Sequence, residues 1–318
     1  MKRNLDIVGK KKIFFAISSL IVVFTVVFAL IFGVKMDIQF TGGSIITYSF
    51  DGELDESAFA KELSAALDAQ LKTQLSENTV TKKDNIIATL GAKKNVKADK
   101  VEAALQTLQE KFPDNNIQQE SINSVSASMG SEFFIKCIAA VAVGAILMIL
   151  YIAFRFRKIG GWSAGVMSVV ALMHDVFVIF AVFVLCRIPL NDSFIAVVLT
   201  ILGYSINATI VIYDRIRENS RIHRSMSVAE RVNLSINQTM TRTVNTTITT
   251  VTAMVIVCII ALIYGVDSIF TFAFPMIIGM ISGLYSSVCI SGPLWVTWQE
   301  HKAKKKAAEK LAPKAKKK

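Results

Sequence analysis

The chain has 318 residues, 53% of them apolar, and a formal net charge of +11. A mean hydropathy of +0.51 excludes an ordinary soluble domain of this size, and apolar runs of 18 or more residues place the chain in a bilayer. Its four cysteines (Cys137, Cys186, Cys258, Cys289) lie in or beside apolar runs with no disulfide or zinc spacing, so they read as small apolar fillers.

The first apolar run, Ile13–Phe32, follows Lys10-Lys11-Lys12. No small-x-small cleavage site stands out after it, so a retained signal-anchor is expected rather than a cleaved signal. Residues 1–33 thus form a short cytoplasmic segment and the first span.

A polar segment of domain size, residues 34–131, comes next. Ser44–Phe50 reads as a strand. Ser57–Leu71 carries alanine and leucine at helical spacing behind Asp55 and Glu56. Asn78–Thr81 and Ile86–Leu90 flank Lys83-Asp84-Asn85, read as a hairpin turn. Ala98–Phe112 places Val101, Leu105, Leu108 and Phe112 on one helix face and stops before Pro113. Ile117–Ala127 reads as a last strand. The order is βαββαβ, an α+β ferredoxin-like split βαβ. The segment holds no histidine and no cysteine, so a binding or mechanical role is expected rather than catalysis. Gly42-Gly43 marks a bend near its start.

Five further spans are expected: Phe134–Phe154, Trp162–Leu185, Ser193–Tyr213, Thr246–Val266 and Ile269–Trp295. They form a block over residues 132–298. Short links make neighbours antiparallel. The longer link 215–242 carries Ile222, Met226, Ala229, Val232 and Ile236 among basic residues and is expected to be an amphipathic interfacial helix. Pro275, Pro293, Gly279, Gly283 and Gly292 predict a bent, hinge-capable sixth span. Arg155, Arg157, Lys158, the arginines of 215–242 and nine lysines in the tail 299–318 assign one end to the cytoplasm, with both termini there and the large loop outside. The tail is read as a topology and lipid-surface feature, with no specific nucleic-acid role.

Ionisable side chains inside the spans are expected to be functional. Asp175 sits near the middle of the third span, beside His174. Two readings stand for it: an ion or proton relay, or a structural hydrogen bond between helices. His174 projects about 100° away around the helix, so the two need not bond each other. Arg242 stands at the cytoplasmic mouth of the fifth span, as an anchor or as a charge paired with an acid. Asn245, Thr246, Thr247, Thr249, Thr250 and Thr252 follow it. Such threonines satisfy themselves on carbonyls four residues back, or line a wet path. Ser205, Asn207 and Thr209 on the fourth span are further candidates. Asp214, Arg215 and Arg217 close that span as a rim. No GxxxxGK[ST] sequence occurs, so ATP energy would have to come from a partner.

The string Asp37-Ile38-Gln39-Phe40-Thr41-Gly42-Gly43 resembles the signature of the SecF family of the Sec protein-export machinery. So do Tyr151–Phe156, His174-Asp175, Gly203-Tyr204-Ser205-Ile206-Asn207, Asp214–Asn219, Gln238–Thr246, Tyr285-Ser286-Ser287 and Ser291-Gly292-Pro293-Leu294. The resemblance covers residues 10–298. It implies a multi-pass protein of a bacterial cell membrane, related to resistance-nodulation-division exporters. The implied partners are a separate SecD chain, the SecYEG channel, translocating preproteins and a YidC-type insertase. It implies no enzyme activity and no cofactor, with H+ or Na+ as the coupling ion. Alternatives are a small-molecule or lipid exporter subunit, and a passive translocon assembly factor. The family places Asn-Asp-Thr in the fourth span, where this chain reads Asn207-Ala208-Thr209. The coupling acid is therefore expected in the partner. Asp175 sharing the role, or sodium held by neutral oxygens, are the other accounts.

Overall fold

The structure is a computed structural model that describes residues 5–78, 83–91 and 98–311. Helix α1 (Lys11–Phe32) ends at Gly33, whose φ of +69° stops the helix. A single turn, α2 (Ile38–Thr41), is capped by Asp37, which accepts from the Gln39 amide at 3.0 Å. The polar domain then runs β1 (Gly43–Phe50), α3 (Glu56–Leu67), β2 (Leu71–Asn78), β3 (Lys83–Gly91), α4 (Ala98–Lys111) and β4 (Gln118–Val125). Its sheet is antiparallel throughout, in the order β2-β3-β1-β4. This is the expected ferredoxin-like arrangement. Ile46, Tyr48, Phe50, Ile86, Ala88 and Leu90 face the helices, where they pack on Phe59, Leu63, Leu67, Val101, Ala104 and Leu108.

Two expected boundaries are wrong. The first domain helix stops at Leu67, not Leu71, because Asp68 turns left-handed at φ 48° and its amide closes on Ala65 and Ser64. That frees Leu71–Asn78 to form the strand expected at Asn78–Thr81. Lys83-Asp84-Asn85 is not a turn: it lies in β3, paired with Asn78, Glu77 and Ser76. Residues 79–82, and with them most of the expected strand, lie outside the described residues.

Among the described residues, six helical segments are long and apolar enough to cross a membrane. After α1 these are α5 (Ala127–Arg155), α6 (Gly161–Leu185), α7 (Asp192–Ile222), α8 (Val228–Ile263) and a composite last span. That span is α9 (Asp267–Tyr285), a π-helical segment Ser286–Ser291, then α10 (Gly292–Leu311). Pro293 has no N–H for an α-type bond to the Cys289 carbonyl, and the wider π spacing lies just ahead of it. The basic tail is therefore helical as far as Leu311, and residues 312–318 lie outside the described residues.

The link 215–242 does not form a helix of its own on the membrane surface. Instead α7 continues to Ile222, and α8 starts at Val228 behind a reciprocal Ser227–Glu230 capping box. Val232 and Ile236 are buried in the helical core rather than turned to lipid. Asn219 ties the two helices together, donating to Ser235 Oγ and Gln238 Oε1 at 2.8 Å each. The N-terminal segment is fastened to α8. Asn233 accepts from the Ile7 and Val8 amides at 3.0 and 3.1 Å and donates to Asp6 at 2.6 Å. That bond, with one from the Gly9 amide, holds the Asp6 carboxyl below its usual value.

The Asp37–Gly43 string forms the joint between domain and helices. Asp37 N donates to Leu190 O and Leu190 N to Lys35 O, both at 2.9 Å. Gln39 Oε1 accepts from the Asp192 amide at 2.9 Å, at the start of α7. Gly43 is required there: a Cβ would lie 2.4 Å from the Leu90 carbonyl, at φ +139°. Gly42 has φ +77°, and its amide closes α2 on Ile38.

Candidate functional site

Helix α7 carries polar groups on two faces, and the structure sorts the expected site residues between them. On the inner face Ser205, Thr209 and Tyr213 recur every four residues, which stacks them on one side of the helix. All three are buried. Opposite them, Gly279 and Gly283 let α9 come close. A Cβ at Gly283 would meet Ser205 Cβ at 3.0 Å, and one at Gly279 would meet Ile201 at 2.9 Å.

This close approach builds a cradle around Asp175, which is 0% exposed. Ser205 and Ser286 each donate to Asp175 Oδ2 at 2.7 Å, and Ser282 donates to Oδ1 at 2.6 Å. Four helical segments thus meet at one carboxyl. His174 Nδ1 lies 3.4 Å from Oδ1, a contact not required by their angular separation on the helix. Its Nε2 is buried without a hydrogen-bond partner among the described residues. The ring packs on Tyr285 with centroids 5.7 Å apart, and Tyr285 donates to the Phe14 carbonyl of α1 at 2.8 Å. The seam continues towards the basic end through Thr209–Ser287 at 2.9 Å and Tyr213–Ser291 at 3.1 Å.

On the outer face, Asn207 and Ala208 line a pocket of about 140 Å³ with Arg242, Thr243 and Thr246 of α8. Asn207, Arg242 and Asn245 are exposed. Tyr204 bridges the helices by donating to Thr247 at 3.3 Å. The threonines close on their own helix: Thr243 on Thr239 O, Thr246 on Arg242 O, Thr249 on Asn245 O. Arg242 makes no salt bridge among the described residues. It lines the same pocket as Asn207 and Val211. The rim lies beyond, where Asp214 pairs with Arg155 at 3.4 Å and Arg217 at 2.6 Å. Arg215 bonds Gln238 at 2.6 Å and Glu218 at 2.5 Å.

Asp175 and Arg242 are therefore not partners. Thr209 serves the inner seam and Asn207 the outer pocket, although only two positions separate them. Gly203 has open space where a Cβ would stand, and no close approach accounts for it. Sequence reasoning gave Ser282 no role, and left Ser286, Ser287 and Ser291 as motif letters. The repeats Ser282/Ser286 and Ser287/Ser291, four apart in an apolar run, are the signal that would have found them.

Residues 104–301 match the model of the family described as protein export membrane protein SecD/SecF, C-terminal. The chain belongs to this SecD/SecF family. It is 32% identical to the protein translocase subunit SecF of Alicyclobacillus acidocaldarius, over 98% of this chain and 99% of that one. It is 31% identical to the protein translocase subunit SecDF of Bacillus subtilis, over 96% of this chain and 39% of that one. A crystal structure of SecDF from Thermus thermophilus, described as a translocon-associated membrane protein, superposes with a TM-score of 0.76 at 27% identity, over 93% of this chain and 39% of that one. A SecDF structure in a super-membrane-facing form superposes with a TM-score of 0.67 at 28% identity, over 96% of this chain and 40% of that one. The chain spans nearly all of the SecF relative and about two fifths of the SecDF chains.

Proposed function

We propose that this chain is the SecF-type half of a two-chain SecD–SecF assembly that draws on a transmembrane ion gradient to assist preprotein export through SecYEG. The observation that carries the reading is the outer face of α7 and α8. An arginine and two asparagines stand exposed there, level with membrane-spanning segments, and such groups facing lipid carry a large cost. A partner helix bearing a carboxylate removes it. Ala208 beside Arg242 supplies no charge, so the acid that pairs with Arg242 comes from the SecD-like chain. Protonation of that acid, or its exchange for sodium, alternately frees and holds Arg242. The Asp37–Gly43 joint, bonded to the first turn of α7, carries helix movement to the outer domain, which engages the emerging chain. Asp175, with every carboxyl oxygen bonded inside the chain, fastens the bundle.

The test is translocation of a stalled preprotein by the reconstituted two-chain complex with SecYEG, with proton and sodium gradients imposed separately. One of the two gradients is expected to accelerate completion. Full activity with both collapsed would remove the motor reading and leave an assembly factor.

A further inference from the structure

A second feature lies at the basic end of the bundle, remote from the outer domain. There α5 hands over to α6 beside α10, and a groove of about 670 Å³ opens between them, within the volume range of ligand sites. Two cations, Arg157 and Lys302, line it. Neither has a carboxylate within salt-bridge distance among the described residues, whereas Arg155, Arg215, Arg217 and Lys11 are all paired. Two cations that no carboxylate neutralises among the described residues therefore share this groove, with the Arg157 guanidinium 5.9 Å from the Phe154 ring centroid.

The tryptophans sharpen the assignment. The chain has three, and all three stand at this corner. Trp162 and Trp298 line the groove at 66% and 49% exposure. Trp295 is buried behind it and donates to Ser163 Oγ at 3.2 Å. Tryptophan concentrates at head-group level in membranes. Ser163 also accepts from Gln299 at 3.3 Å, which anchors α10 across the groove. Further from the basic end, α6 presents Val166, 43% exposed, and Met167 to the same groove. The walls are thus layered: cations and amide at the charged end, indole at the boundary, aliphatic surface below.

We infer that this groove binds one anionic phospholipid of the cytoplasmic leaflet. Arg157 and Lys302 face its phosphate and acidic head group, Trp162 and Trp298 flank the glycerol level, and an acyl chain lies along Val166. A soluble anion would use the cations but not the aliphatic wall. A zwitterionic lipid would bring a cation against Arg157. The role is independent of ion coupling at Arg242.

Native mass spectrometry of the purified full chain, offered equal phosphatidylglycerol and phosphatidylcholine, tests the inference. Wild type is expected to retain phosphatidylglycerol about tenfold over phosphatidylcholine. The Arg157→Gln/Lys302→Gln variant is expected to lose that preference, whereas Lys304→Gln/Lys305→Gln, off the groove on α10, keeps it. Arg157→Lys/Lys302→Arg keeps it too, which separates charge from folding. If the neutral variant does not fold, the wild-type ratio and the charge-keeping variant decide. Equal retention of both lipids, equal loss in the α10 control, or displacement of phosphatidylglycerol by millimolar inorganic phosphate would overturn the assignment.

Discussion

The two faces of α7 carry similar chemistry in opposite states. Inward, a carboxyl with no exposure receives three serine hydroxyls from α7, α9 and the π-helical segment. Outward, an exposed arginine stands in a pocket with asparagine, alanine and threonine and meets no acid among the described residues. Both are ionisable groups in membrane spans, and both are costly unless satisfied. The inner one is satisfied by its own chain. The outer one, on the proposed reading, is half a site. Burial alone, then, does not mark the group that does the coupling. The group left incomplete is the better candidate.

Variants break this contrast in graded ways. Asp175→Ala strips the common acceptor from three hydroxyls in the core. A buried polar group left without its partner costs ~1–3 kcal/mol, and such terms are not additive. The expected loss is on the order of 3 kcal/mol or more, read as detergent-solubilised thermal unfolding of the full chain. If Asp175→Ala were as stable as wild type, the inner site would not be a fastening. Gly283→Leu attacks the same site from the backbone, since any Cβ there presses on Ser205. Overpacking costs ~1–3 kcal/mol. The added side chain separates α9 from α7, so Gly283→Leu and Asp175→Ala combined should cost less than their sum. Strict additivity would show the two positions to be uncoupled.

The sequence carries these two sites unequally. The spans are legible because length and hydropathy alone specify them. The outer domain is legible because β1, β3 and both helices bury apolar residues at regular spacing. Strand β2 was misplaced because Leu-Lys-Thr-Gln-Leu-Ser-Glu-Asn is a polar edge strand with little apolar signal, and because left-handed Asp68, which ends α3, is not a glycine. The surface helix expected over 215–242 rested on apolar residues that serve the core instead: Val232 and Ile236 pack inside. Asp175 and Arg242 stand out by residue type, and Ala208 only against the Asn-Asp-Thr of the family it resembles. Their separation onto two faces depends on which side of α7 meets α9. That is set by Gly279 and Gly283, and by the π segment that aims Ser286 at the carboxyl. These are tertiary facts, and serines in an apolar run do not announce them.

Arg242→Gln has the smallest expected effect on stability and bears most directly on the account. In the isolated full chain, where Arg242 is exposed, stability should stay within about 0.5 kcal/mol of wild type. In the reconstituted two-chain complex, gradient-stimulated translocation should fall at least about tenfold, the consequence of losing ~1.4 kcal/mol of coupling. A variant that keeps full stimulation, or that loses it only by unfolding, would contradict the claim that the open face of α7 and α8 is where this chain meets its partner's charge.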